Sequence, residues 1–146
     1  MVDVLTEITI AQPLELVAAY AADPDNAPIW YDNIKEAEWK TEKSLNLGAQ
    51  IAFKAKFLGR ELAYVYEIVA YEPGQKLVMK TADGPFPMET TYVWTALGER
   101  ETQMKLRNRG NPRGFSKIFA PMMARMMRKA NVKDLQKIKQ ILEARP

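Results

Sequence analysis

Residues 2–10, VDVLTEITI, alternate apolar and polar positions with a period of two. That period predicts a half-buried strand with Val4, Ile8 and Ile10 on one face. The following PLELVAAYAA predicts a short helix. Pro13 suits its first turn, and Glu15 lies near its positive end. Asp23-Pro24-Asp25-Asn26 stops it, and DNAPIWYDNI predicts a second short helical turn carrying Trp30. Alternation then returns and predicts five or six more strands. Ala37, Trp39 and Thr41 alternate with charged neighbours, as do Ile51, Phe53, Ala55 and Phe57. Leu62, Tyr64, Tyr66 and Ile68 oppose Glu61 and Glu67; Leu77, Met79 and Thr81 flank Lys80. METTYVWTAL and TQMKLRNRG complete a hairpin-like pair, and Gly48, Gly59, YEPGQ and ADGPFP mark the turns.

The period changes again after Gly110-Asn111-Pro112. Phe115, Phe119, Met122, Met126 and Ala130 keep helical spacing. Leu135, Ile138, Ile141 and Leu142 continue it on a face turned by roughly a third of a circle, at about 100° per residue. Pro121 forgoes the bond to the carbonyl of residue 117, which predicts a bend there. The expected architecture is α+β. An antiparallel sheet of six or seven strands carries two short helices after its first strand and packs against one long C-terminal helix, in a single domain spanning 1–146.

Composition narrows the chemistry. The chain has no cysteine and no histidine, which excludes thiolate chemistry, the usual catalytic triads and ordinary zinc sites. No cofactor is called for. The N-terminus lacks a basic region and a long apolar run, and nowhere do eighteen apolar residues follow one another, so a soluble cytoplasmic protein is expected. The net charge is +3, unevenly placed: residues 113–146 carry +7 and the first 112 residues −4.

The basic segment begins with FSKIFAPMMARMM, which fits a membrane-surface helix, a nucleic-acid binder, a partner helix or a core helix. No DNA- or RNA-binding signature accompanies it. An apolar sheet face needs a cover, and each large side chain left uncovered forgoes about 1.5–3 kcal/mol. The core-helix reading therefore leads, with the basic side solvated. DNA is not expected as a partner. Contact with RNA, the ribosome or an anionic membrane through this helix stays a minor alternative, and a homodimer stays open.

The inner faces bring together Trp39, Phe53, Tyr64, Tyr66, Met79, Met88, Tyr92, Trp94 and Met104, with Trp30 beside them and Phe119, Met122, Met123 and Met126 opposite. Methionine adapts to varied apolar ligands, and tyrosines supply a few polar points. These residues suit a ligand cavity or a closed core, and residue types alone tilt toward the closed core.

ITIAQPLELVAAYAADPDNAPIWYDNI, AYEPGQKLVMKTADGP and APMMARMMRKANVKDLQKIKQILE resemble the START/Bet v 1-like (SRPBCC) superfamily, specifically its polyketide cyclase/dehydrase group. The resemblance covers essentially the whole chain. It implies a helix-grip fold, a curved sheet wrapped around the C-terminal helix and enclosing a cavity. It also implies a hydrophobic small-molecule ligand, such as a lipid, a polyketide or an isoprenoid-like compound. A minority of members catalyse cyclisation or dehydration. Such chemistry needs a proton carrier. By strand parity the inward rows hold no Asp, Glu, Lys or Arg, because Glu61, Glu67, Glu89, Lys80, Lys105 and Arg107 face outward. The inward polar groups are Thr41, Tyr64, Tyr66, Thr81, Thr90, Tyr92 and Asn108; Asp32, Arg109 and Arg113 near the mouth are either exceptions or, on the leading reading, exposed loop charges. Binding without catalysis is the preferred expectation, and a cyclase/aromatase-like enzyme using a cavity tyrosine is the alternative.

Overall fold

The computed structural model describes residues 2–57, 59–84, 87–111 and 120–146, with Phe57 described by its backbone alone. Seven strands form one antiparallel sheet: β1 (Val2–Ile10), β2 (Ile34–Trp39), β3 (Gln50–Phe57), β4 (Arg60–Glu72), β5 (Lys76–Asp83), β6 (Met88–Gly98) and β7 (Glu101–Gly110). Their spatial order is β1-β7-β6-β5-β4-β3-β2. Consecutive strands from β2 to β7 are neighbours. The chain crosses from β1 to the far edge through α1 (Leu14–Ala22), a 3-10 turn (Pro24–Asn26) and α2 (Ala27–Trp30). The long helix α3 (Ala120–Glu143) packs on the inner face and along β1. The curled sheet gripping a helix is the helix-grip architecture expected from the sequence.

The period-two pattern sets the faces. In β1, Val2, Val4, Thr6 and Ile10 are buried and Ile8 half-buried, while Asp3, Leu5, Glu7 and Thr9 are exposed. In β7, Thr102, Met104, Leu106 and Asn108 are buried. The outward residues pair across strands, with Arg107 gripping Asp3 through two bonds of 2.8 and 2.6 Å and Arg109 reaching Glu89 at 2.7 Å. Curvature comes from bulges. The β4–β5 register shifts between Val65 and Tyr66 and again between Ile68 and Ala70. Val69, between the last two, is thrown outward and exposed. Gly59 takes the positive φ of 75° that the β3–β4 turn requires.

Two details differ from the sequence reading. Thr41 is not an inward strand residue; β2 ends at Trp39, and exposed Thr41 accepts the Gln50 N–H at 3.1 Å in the following turn. The apolar stripe of α3 does not change face. Met123, Met127, Asn131, Leu135, Ile138 and Leu142 follow at spacings of three and four residues and form one continuous stripe. The doublets Met122-Met123 and Met126-Met127 permit two phases, and Leu135, Ile138 and Leu142 select the second. Met122 is consequently exposed. Pro121 is the second described residue of α3; the carbonyl at 117 and the bend expected there lie outside the described residues, as do Arg113, Phe115 and Phe119.

The interior is sealed at one end and hollow at the other. Leu135, Ile138 and Leu142 of α3 close against Ile10, Val17, Trp30, Ile51, Ile68, Leu77, Trp94 and Met104. The opposite half of α3 touches the start of β1 through Met123, Val2 and Val4. Space opens between that half and the sheet.

Candidate functional site: a polar-tipped apolar cavity

A cavity of about 170 Å³ lies beneath the first half of α3. Its floor is Phe53, Ala55, Leu62, Tyr64, Tyr66, Met79, Met88, Thr90, Tyr92 and Asn108 of the sheet. Its roof is Met123, Met127, Ala130, Asn131 and Asp134, and the α1–α2 region with Tyr31 and Ile34 closes the side. Register explains the floor: Phe53 opposes Tyr64, Met79 opposes Thr90, and Thr90 opposes Asn108, so inward side chains from neighbouring strands converge. The Phe53 and Tyr66 rings meet edge to face at 5.7 Å, and Tyr64 lies 5.9 Å from Tyr66. Gly84 permits this placement of Tyr64, because a Cβ at Gly84 would stand 2.5 Å from the ring. The volume is below the ~300–1,000 Å³ of fully formed ligand pockets. Methionine side chains are the adaptable part of its wall.

Of the side chains expected at a cavity, Phe53, Tyr64, Tyr66, Met79, Met88, Tyr92 and Met123 meet here. The others do not. Trp94 and Met104 are inward but stand under the sealed half of α3, inside the closed core. Trp30 is buried behind the wall, stacked on Tyr31 with centroids 4.0 Å apart. Trp39 sits at the end of β2, where its Nε1 donates to Asp25 at 3.1 Å. Met126 is half-buried beside Met127, which takes its expected place in the lining. Met122 is solvent-exposed.

Polar groups concentrate at one corner. The Tyr31 and Tyr92 hydroxyls share a hydrogen bond of 2.6 Å. The Thr90 hydroxyl donates to Asn108 Oδ1 at 2.7 Å. Burial pushes the Tyr31, Tyr66 and Tyr92 hydroxyls up, so all three are neutral at ordinary pH. From α3, Asp134 is only 2% exposed. Its Oδ1 accepts the Asp32 backbone N–H at 3.0 Å, and among the described residues no cation pairs with it. Burial, joined by the Asp32 charge, pushes its carboxyl up to about 6. One turn earlier Asn131 is 4% exposed, and its Nδ2 has no hydrogen-bond partner among the described residues.

The strands contribute no charged group to the lining, as parity requires, but the helix does. Asp134 and Asn131 were missed because polar residues in a basic segment suggest its wet side. A signal was present: extending Leu135, Ile138 and Leu142 back one turn lands on both. Asp32 itself points outward, pairing with Lys133 at 3.6 Å, and Arg109 lies on the outer sheet face. Among the described residues no group of three or more Asp, Glu, His or Cys side chains is placed to hold a metal ion. A second, more polar surface cleft of about 880 Å³ lies outside the wall and shares Tyr31, Ile34 and Asp134 with the cavity.

The basic face of α3 is only partly solvated. Arg128 and Lys139 donate to the carbonyls of Leu5 and Thr9 at 2.9 and 2.7 Å, along the outer edge of β1. No described helix is long and apolar enough to cross a membrane.

The sequence profile of polyketide cyclase / dehydrase and lipid transport proteins matches residues 1–143. No curated protein matches the sequence significantly. Among solved structures, a protein of Thermus thermophilus superposes with a TM-score of 0.84 at 17% identity, covering 99% of both chains. The Zhui aromatase/cyclase from a Streptomyces species superposes with a TM-score of 0.79 at 19% identity, covering 98% of this chain and 94% of its own. A START superfamily protein from Mycobacterium smegmatis gives 0.75 at 15% identity, covering 98% and 95%. At these identities the likeness is one of fold.

Proposed function

The chain belongs to the polyketide cyclase/dehydrase and lipid transport family, and from that premise we propose that it binds an apolar small molecule beneath the first half of α3. The observation that carries this reading is the cavity itself: a largely apolar space roofed by Met123 and Met127 and tipped with polar groups at one corner. A closed core has no use for such a space, since an unfilled void forfeits packing that a larger side chain would supply.

Two adjacent methionines provide the test. Met123→Trp fills the cavity from its roof, whereas Met122→Trp places the same ring in solvent. Fluorescence titration with N-phenyl-naphthylamine is expected to give at least ~10-fold weaker binding for the Met123 variant and wild-type binding for the Met122 variant, since one buried ring displaces most of the ligand's contact area. Equal affinity in wild type and both variants would place the ligand elsewhere.

A second reading is acid–base catalysis of the cyclase/dehydrase type. The observation that favours it is Asp134, a buried carboxylate with no cation partner among the described residues, titrating at about 6 beside a neutral tyrosine pair. As a base it would take a proton from carbon next to a carbonyl while a tyrosine hydroxyl holds the developing oxyanion. Activity would then rise with pH through about 6, the range where Asp134 loses its proton. Asp134→Asn would bind ligand but turn over at least ~100-fold more slowly. Full turnover in that variant removes this reading.

A further inference from the structure

Gly84 and Gly110 differ from the glycines of the turns. Neither takes a positive φ, so neither backbone position demands glycine. What each position lacks is room for a side chain. A Cβ at Gly84 would stand 2.5 Å from Cδ1 of Tyr64. A Cβ at Gly110 would overlap the Met88 Sδ and come within 3.1 Å of the Pro87 carbonyl oxygen. Strand register brings these contacts about. Gly110 ends β7 directly opposite Met88, the first residue of β6. Gly84 follows Asp83, whose partner on β4 is Val65, the neighbour of Tyr64. Tyr64 and Met88 both line the cavity. Each glycine therefore lets a lining side chain lie over it instead of projecting farther into the ligand space. A methyl group at Gly110 would turn the flexible Met88 thioether toward the one space already beside it, the cavity.

We infer that Gly84 and Gly110 are specificity-determining positions, which keep the cavity open to ligands larger than a single ring. This rests on the binding reading above and names the size class of ligand within it. At about 170 Å³ the cavity takes a ring-sized hydrocarbon as it stands; an engineered apolar cavity of roughly 150 Å³ holds benzene. A ligand of two or three rings needs the methionine wall to yield. The wall has that reserve only while Tyr64 and Met88 stay over their glycines. A side chain at either position consumes the reserve by overpacking, at the expense of the large ligand and not of the small one.

Toluene and N-phenyl-naphthylamine represent the two sizes, titrated by calorimetry and by fluorescence. Gly110→Ala is expected to weaken N-phenyl-naphthylamine at least ~10-fold, because the displaced thioether removes buried contact area, and to hold toluene within ~3-fold. The double variant Gly110→Ala/Met88→Ala deletes the displaced group and is expected to regain wild-type binding of the larger probe. Unchanged binding of both probes by Gly110→Ala overturns the inference and leaves cavity binding intact. An equal loss of both, or a double variant that stays weak, does the same. Binding of neither probe by wild type overturns the binding reading itself. Gly84→Ala, with Tyr64→Ala as its rescue, has the same expected outcomes and decides the matter if Gly110→Ala does not fold.

Discussion

Asp134 is a carboxylate whose folded environment holds its proton more tightly than the unfolded chain does. Its ordinary value is 3.8, and burial pushes it up to about 6. The sign follows from linkage: between those two values the folded state binds more protons, so its contribution to stability grows as pH falls from above 6 toward 4 and is lost as pH rises through 6. Asp3 and Glu143 work the other way below pH 4, held low by hydrogen bonds from Arg107 and Lys139. Glu89 joins them, because Arg109 and Lys80 together outweigh the burial that raises it. All three sit in partly exposed ion pairs at the surface and count for little. Asp134→Asn keeps an acceptor for the Asp32 N–H and removes the buried charge. Denaturant unfolding is expected to show it about 1–2 kcal/mol more stable than wild type at pH 8, with the difference closing near pH 4. A variant less stable than wild type at pH 8 would mean that the carboxylate has a favourable partner in the fold.

At the scale of elements, the strands were legible and the site only half so. Period-two alternation marks which side chains point inward, and Tyr64, Tyr66, Tyr92 and Asn108 do so. It carries no information about position along the strand, and that coordinate decides between Tyr92, at the cavity, and Trp94, two residues on and under the sealed half of α3. The phase of α3 was ambiguous because methionine doublets fit either register, and Thr41 was misplaced because alternation in the sequence runs on past the end of β2 into a turn. These errors share a cause: the deciding contacts are long-range. The unequal halves of α3 give an expectation of their own. Leu135, Ile138 and Leu142 are fully buried, whereas Met127 and Ala130 face open space. Hydrogen exchange is expected to be at least ~10-fold slower across 135–142 than across 123–130, with ligand protecting the latter selectively. Uniform exchange along the helix would show that the cavity does not weaken its roof.

Across the whole molecule, charge and sheet edges fit together. The excess positive charge of the C-terminal segment suggests a solvated outer face, and two of its cations, Arg128 and Lys139, are instead bonded to carbonyls at the outer edge of β1. That edge is thereby closed to another strand. The other edge, β2, carries Lys35, Glu36 and Glu38, a charged border that opposes strand addition.

The ties between α3 and the rest of the chain are also unevenly placed. Toward its C-terminal end, Lys139 holds Thr9, Glu143 accepts from Ala11 at 2.8 Å, and Gln12 donates to Leu142 and Arg145 at 2.7 and 2.9 Å. Toward the other end, Arg128 is the one described side chain bonded to β1. Among the described residues the hydrogen bonds from α3 to the start of the chain thus gather over the sealed core, and the half above the cavity is held chiefly by packing of Met123 on Val2 and Val4. Exchange of the proposed ligand is then expected to follow local opening of residues 120–130, so that stopped-flow release rates climb more steeply with temperature than diffusion does. Release as weakly temperature-dependent as diffusion would show that no such opening is needed.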